Sequence, residues 1–314
     1  MSAIEKTISE FLNHCRYEKN LSPKTIKFYG IDLHQFYTWL TENNYPLVIT
    51  EIDKRPLKAY LHELSKWKPK TVKRKIATLK ALFNYLEFED MILVNPLRKI
   101  RIKIKEPLRL PKALDKSEAG QILRAAYKSI GKADKKKYGY LEKIRNTAII
   151  ELLFATGARV SEVANLHIND INLETGALTI RGKGNKERII HVCNPGTLAI
   201  LNNYALLFAG RIALSGGSFW INRINKKLSD QSIRMIVSNI SREAELTKKI
   251  TPHVFRHTFA TLLLENDVDI KYIQSLLGHS SIMTTQIYTQ VNREKQRMIL
   301  SEKHPRHELA FELS

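Results

Sequence analysis

The sequence predicts a mainly α-helical protein of two domains that carries one small β-hairpin, an α+β chain dominated by helix. Three observations lead there. Its 314 residues exceed the usual size of a single domain. Apolar residues recur every three or four positions through the first hundred residues and again from Leu114 onward. Over residues 177–192 the spacing changes to two, the period of a strand.

Taken in order, Ile4, Ile8, Phe11 and Leu12 space as a first helix. Ser22-Pro23 caps a second, which runs through Tyr29, Leu33, Phe36 and Leu40. Residues 50–64 give a third, with Ile52, Leu57, Tyr60, Leu61 and Leu64 as its apolar positions. The segment KWKPKTVKRKIATLK holds no acidic residue. Ile76, Leu79, Leu82 and Phe83 form its buried face, which turns Lys70, Lys73, Arg74 and Lys75 outward as candidate phosphate contacts. Asn95-Pro96 breaks the helix. Residues 98–111 then read as an extended basic linker along a nucleic-acid backbone, with Arg98, Lys99, Arg101 and Lys103 as its contacts. The domains are therefore expected at 1–97 and 112–300, followed by a tail, 301–314.

In the second domain Asp115 or Ser117 caps a helix through Ile122, Leu123 and Ala126, and the basic stretch 128–137 reads as a surface insertion. An apolar helix over 144–154 leads into ATGARVSEVANL. Gly157 ends it, and Arg159 opens the next with Glu162 three residues on. Residues 177–181 and 188–192 read as strands joined by GKGNKE, whose Lys183 lies near the tip. This is no Walker phosphate loop, because Lys-Ser/Thr and a following helix are missing. Residues 195–208 read as helix, Trp220-Ile221 as a short buried element, and Ser229 or Asp230 as the cap of a helix through Ile233, Ile236, Val237 and Ile240.

Charge narrows the partner. Lys plus Arg number 51 against 31 acidic residues, a net of +20, and such an excess points to nucleic acid. Cys15 and Cys193 match neither a metal spacing nor a disulfide framework. The amphipathic start MSAIEKTISEF has no signal-peptide core, and no window has the uninterrupted apolar length of a membrane span. A reduced, cytoplasmic protein off the membrane is expected.

The chain is organised around TPHVFRHTFATLLLENDVDIKYIQSLLGHSSIMTTQIY. Thr251-Pro252 starts a helix whose apolar stripe is Phe255, Phe259, Leu262 and Leu263, with His253 and Arg256 together on another side. Ile270, Ile273, Leu276 and Leu277 give a second helix that Gly278 ends. His279 follows at once, Ser280 or Ser281 can cap a third helix, and that helix carries Tyr288. Singly, each polar residue has a plain explanation: a solvated Arg-His face, an interface tyrosine, a hydrogen-bonded core histidine at His257. Together, Arg159, Lys183, His253, Arg256, His279 and Tyr288 suit one phosphate at a time. Without paired carboxylates, metal-ion phosphoryl transfer is disfavoured. Arginines can hold non-bridging oxygens and a tyrosine can be a nucleophile once a base takes its proton.

In ATGARVSEVANL, GKGNKER, TPHVFRHTFAT, LLGHSSIMTTQIYT and LPKAL the sequence resembles the tyrosine site-specific recombinases of the phage-integrase type, nearest the bacterial Xer group. The resemblance implies a helical core-binding domain and a catalytic domain that close on DNA as a C-shaped clamp. It implies further that Arg159 and Arg256 activate the scissile phosphate, Tyr288 forms a 3′-phosphotyrosine, and Lys183 protonates the leaving 5′-oxygen. His253 would serve general base or acid steps, His279 would bond a phosphate oxygen, and Glu162 would support the geometry. No metal and no cofactor are implied. The implied partners are duplex DNA with paired inverted half-sites, further copies or a paralogue in a tetramer on two duplexes, and a DNA translocase at the division site. Two other readings stay open: nicking and resealing of one duplex, as in a type IB topoisomerase or telomere resolvase, and a DNA-binding regulator. Covalent trapping excludes the second, and joining to a partner duplex excludes the first.

Overall fold

The protein is described here from a computed structural model, covering residues 3–104, 113–182 and 187–278. Lys183, His279, Tyr288, the expected helix that carries Tyr288, and the tail 301–314 lie outside the described residues. The chain forms two compact units, Met1–Leu108 and Arg109–Ser314.

In the first unit α1 (Ala3–Tyr17), α2 (Pro23–Glu42), α3 (Lys54–Glu63) and α4 (Pro69–Phe88) pack around one core. Ile4, Leu33, Phe36, Leu40, Leu82, Phe83 and Leu86 are fully buried in it. Ser22 caps α2 as expected, its hydroxyl accepting from the Thr25 amide. The third helix starts later than the expected residue 50. A short 3₁₀ turn spans Ile49–Glu51, and Asp53 takes the cap because its carboxylate accepts the Arg55 amide. The linker begins inside this unit. Ile100, Ile102 and Ile104 pack against its core, while Arg98, Lys99, Arg101 and Lys103 are exposed. Arg98 also pairs with Glu87 at 2.6 Å.

Lys75 requires a correction. It is 2% exposed rather than outward. Val72 precedes it by three positions and Leu79 follows by four, so helical spacing puts it on the buried stripe. Its ammonium donates to Gln35 Oε1, lies 3.5 Å from Asp32 Oδ1 and sits over the Trp67 ring. Arg74 is half-buried, bonded to Asp32 and stacked over Phe28. Lys70 and Lys73 are exposed.

The second unit holds α5 (Lys116–Gly131), α6 (Tyr138–Thr156), α7 (Val160–Ala164), a three-stranded antiparallel sheet, α8 (Pro195–Leu214), α9 (Asp230–Glu243), α10 (Pro252–Glu265) and α11 (Ile270–Leu277). Asp115 and Glu118 close a reciprocal capping box on α5. Part of the expected insertion at 128–137 is the last turn of α5. Helix α6 is buried nearly all round, with Ala148, Ile149, Ile150, Leu152 and Leu153 fully covered, which makes it the central helix. The strands are β1 (Ile171–Asn172), β2 (Ala177–Arg181) and β3 (Glu187–His191), in the order β1-β2-β3. Leu178 faces Ile190 and Ile180 faces Arg188, so those four side chains share the inner face.

Helix α8 departs from the expectation on membrane spans. It is long and apolar enough to cross a membrane by length and composition. One face nevertheless belongs to the core: the buried Tyr204 hydroxyl donates to the Phe219 carbonyl and accepts from the Ile221 amide. Such a bridge fits a core helix holding the fully buried Phe219-Trp220-Ile221 segment.

Candidate active site

Three chain breaks converge to make the site. Helix α6 stops at Gly157, whose φ of 58° lies in the left-handed region. A Cβ there would stand 2.7 Å from Phe259 Cδ1 and 3.0 Å from Leu277 Cδ2, so only glycine lets α10 and α11 approach. Arg159 then takes the N-cap position of α7. Glu162 reaches back from the first turn, its Oε2 accepting the Arg159 amide at 2.8 Å and its Oε1 the guanidinium at 2.7 Å.

Helix α10 opens with Pro252 at its first position; Thr251 precedes it but makes no side-chain cap bond. His253 is exposed at the head of this helix. The sequence places His253 and Arg256 together on one side of this helix, yet Arg256 is buried where His253 is exposed. Arg256 is 4% exposed, between the buried Phe255 and the half-buried His257. Its Nη1 donates to the Gly157 carbonyl at 2.9 Å and its Nη2 to the Leu277 carbonyl at 2.6 Å. Phe259, Leu262 and Leu263 are only half-buried, because the core-facing side of α10 is Val254, Phe255, Thr258 and Ala260.

Helix α11 ends at Gly278 in the left-handed conformation, φ 63°. Its last carbonyls are taken by three guanidiniums. Arg188 Nε donates to Leu276 O at 2.8 Å, Arg256 to Leu277 O, and Arg159 Nη2 to Gly278 O at 3.4 Å. Cations at a helix C-terminus meet both the free carbonyls and the negative end of the helix dipole. Glu162 ties two of them together, since both its oxygens also accept Arg188, at 3.1 and 2.8 Å.

Arg188 is the residue that sequence reasoning passed over. It stood inside the quoted GKGNKER, but only Lys183 was drawn from that stretch. The available signal was alternation: Arg188 shares a strand face with the buried Ile190, and a guanidinium on an inward face requires a partner.

The electrostatics follow from this packing. Burial alone would raise the Glu162 carboxyl, but hydrogen bonds from Arg188 and Arg159 outweigh it and hold the group below the usual carboxylate range. At His253, desolvation and then the Arg234, Arg256 and Arg159 cations hold the imidazole below its ordinary value, which favours the neutral, proton-accepting form. His257 is lowered too, by burial and by His253 and Arg256. Of the expected site residues the structure brings together Arg159, Glu162, His253 and Arg256. Lys183, His279 and Tyr288 lie outside the described residues, though His279 directly follows Gly278 in sequence.

Fold and site define a class: a basic, mainly helical protein that gathers three guanidiniums at one helix end. Comparison with known proteins makes the class specific. Residues 112–295 match the phage integrase family, and residues 8–90 match the phage integrase N-terminal SAM-like domain. A tyrosine recombinase of Agathobacter rectalis is 45% identical over 312 residues, covering 99% of this chain and 100% of its own. Tyrosine recombinase XerC of Thermodesulfovibrio yellowstonii is 35% identical over 308 residues, covering 95% and 96%. The crystal structure of XerH site-specific recombinase bound to palindromic difH substrate, a post-cleavage complex, is similar with a TM-score of 0.73 at 24% identity, covering 94% and 84%. The chain belongs to the phage integrase family and is a tyrosine recombinase, an enzyme that cleaves and rejoins DNA in site-specific recombination.

Proposed function

We propose that Tyr288 is the nucleophile and that Arg159 and Arg256 hold the non-bridging oxygens of the scissile phosphate. The Tyr288 oxygen forms a bond to phosphorus as the bond to the 5′-oxygen breaks, leaving a 3′-phosphotyrosine and a free 5′-hydroxyl. His253, lowered toward its neutral form, takes the tyrosine proton, and Lys183 protonates the departing 5′-oxygen. His279 bonds a phosphate oxygen. Because the phosphotyrosine keeps the bond energy, a 5′-hydroxyl from a partner strand reverses the step without ATP. Glu162 orients Arg159 and takes no part in bond making. The observation that carries this reading is the convergence of Arg159 and Arg256 at the end of α11, with His253 within reach of their charge, next to which His279 and then Tyr288 follow in sequence.

Strand exchange further requires four active sites on two duplexes, each with inverted half-sites. A tetramer of this chain or of this chain with a paralogue supplies them. Exposed Lys70, Lys73, Arg98, Lys99, Arg101 and Lys103 contact backbone phosphates. The tail, with Leu309, Ala310, Phe311 and Leu313, docks on a neighbouring copy. A DNA translocase at the division site is a further partner, and the cytoplasm is the compartment.

The test is a DNA substrate nicked beside the cleavage position, which traps the covalent intermediate. The wild-type chain should give a protein–DNA adduct and join it to a partner duplex. Tyr288→Phe should bind DNA equally and give none. Adducts persisting in Tyr288→Phe would overturn the assignment, and resealing without exchange would make the enzyme a topoisomerase.

A further inference from the structure

Outside the active site the first unit holds a group of side chains that DNA cleavage does not use. His14 lies in the last turn of α1, Glu18 just past its end, and Glu89 at the C-cap of α4. One ligand atom from each lies within 4.8 Å of the other two. His14 is 7% exposed, yet its Nδ1 makes no hydrogen bond among the described residues. That nitrogen lies 2.9 Å from Glu18 Oε2, a contact that fails hydrogen-bond geometry although the atoms are close.

The surroundings favour positive charge. Two helix C-termini, those of α1 and α4, end at the cluster and present the negative ends of their dipoles. Carboxylates also gather: Glu89, Glu10 and Glu18 all act on the Tyr85 hydroxyl, which burial and these charges push above its ordinary value. Tyr85 in turn packs against the His14 ring, with centroids 4.7 Å apart, and fixes its plane. In a chain of net charge +20 this is a local surplus of acid with no evident use in holding DNA.

We propose that His14 Nδ1, Glu18 and Glu89 form a binding site for a divalent transition cation of the zinc class, which fastens the end of α1 to the end of α4. The donor set selects the ion. One imidazole with two carboxylates suits zinc better than magnesium, which prefers oxygen ligands in a strict octahedron. Three protein ligands leave a fourth position for water. The i,i+4 spacing of His14 and Glu18 puts two ligands on one side of the α1 end, and Glu89 closes the set from the neighbouring helix. The site is structural and separate from the cleavage site in the second unit.

The experiment uses the full chain stripped with chelator and titrated with ZnCl2, with CoCl2 as a spectroscopic substitute and MgCl2 as a control. The wild-type chain should bind one zinc and show the visible absorption bands of low-coordinate cobalt. The Glu18→Gln/Glu89→Gln double variant changes exposed positions and leaves the buried His14 in place. It should bind zinc at least tenfold more weakly and lose the bands, while its DNA affinity is unchanged. His14→Gln should act likewise if it folds. No one-to-one zinc event in the wild type, or equal zinc affinity and equal cobalt bands in the double variant, would overturn the proposal.

Discussion

Replacing Glu162 by glutamine removes one negative charge from the middle of the site and almost no volume. Four hydrogen bonds end on this carboxylate: the Arg159 amide and guanidinium at 2.8 and 2.7 Å, and two Arg188 nitrogens at 3.1 and 2.8 Å. An amide has one acceptor oxygen, so its NH2 group must face a guanidinium donor. The side chain of Arg188 is 13% exposed, and leaving such a cation without its counter-ion costs about 3–5 kcal/mol at a fully buried pair. Arg159, 37% exposed, adds less because solvent screens it. The second unit should therefore lose about 2–4 kcal/mol in Glu162→Gln. Urea unfolding followed by Trp220 emission, with Trp39→Phe and Trp67→Phe as background, isolates that unit. The sign with pH is set by the direction of the shift. A carboxyl lowered in the folded state stabilises above its unfolded value of 4.5, and that stability is lost as pH falls through the lower folded value. Wild-type stability should thus fall below pH 4.5 along a limb that Glu162→Gln lacks. Cleavage should fall with binding retained, since Arg159 loses its orientation. A stability loss under about 1 kcal/mol with full cleavage activity would refute the bridging role.

Further outcomes are expected elsewhere. Lys73→Ala should lower the salt slope of DNA binding by about one unit. Lys75→Met should leave that slope unchanged while altering stability, and an equal change in both slopes would return Lys75 to the DNA surface. Cleavage should decline at acid pH only below the ordinary histidine range, because His253 is lowered; Arg234→Met should move that limb upward, and an unmoved limb would exclude His253 as the base. Gly157→Ala should cost about 2–3 kcal/mol from left-handed strain and contact with Phe259, while Gly131→Ala, with no neighbour within 4 Å of its added Cβ, should be neutral in the same urea assay.

Local signals were legible where a residue answers to its own neighbours in sequence. Ser22, Asp115 and Ser229 cap their helices, and Gly157 and Gly278 end theirs with positive φ, because capping needs only a few consecutive residues. What escaped depends on partners far along the chain. Lys75 reads as part of a basic run until Asp32 and Gln35, some forty positions earlier, supply a carboxylate and an amide oxygen. Arg256 was legible as a site residue, but its burial and its acceptors, the Gly157 and Leu277 carbonyls, were not. Arg188 escaped altogether, since its carboxylate and carbonyl partners come from α7 and α11. Hydrophobic period locates a buried face but leaves open which cations that face has been built to hold.

The helix end chosen for the site explains how cations can gather there before any DNA arrives. A phosphate is usually met by a helix N-terminus, whose free amides are donors. Here the converging end is the C-terminus of α11, which by itself would repel an anion. Three arginines reverse that sign. One carboxylate, Glu162, lies among them, so the cluster of Arg159, Arg188, Arg256 and Glu162 carries a net charge of about +2 with its guanidiniums already oriented. Carbonyls carry only partial charges, so they orient these donors while leaving most of the positive field for a ligand. The same contacts fix Leu276, Leu277 and Gly278, the residues immediately before His279. The proposed phosphate grip and the start of the segment leading to Tyr288 are thus set by one group of hydrogen bonds. Loosening any of the three arginines should then disturb the position of the proposed nucleophile as well as the charge on the phosphate.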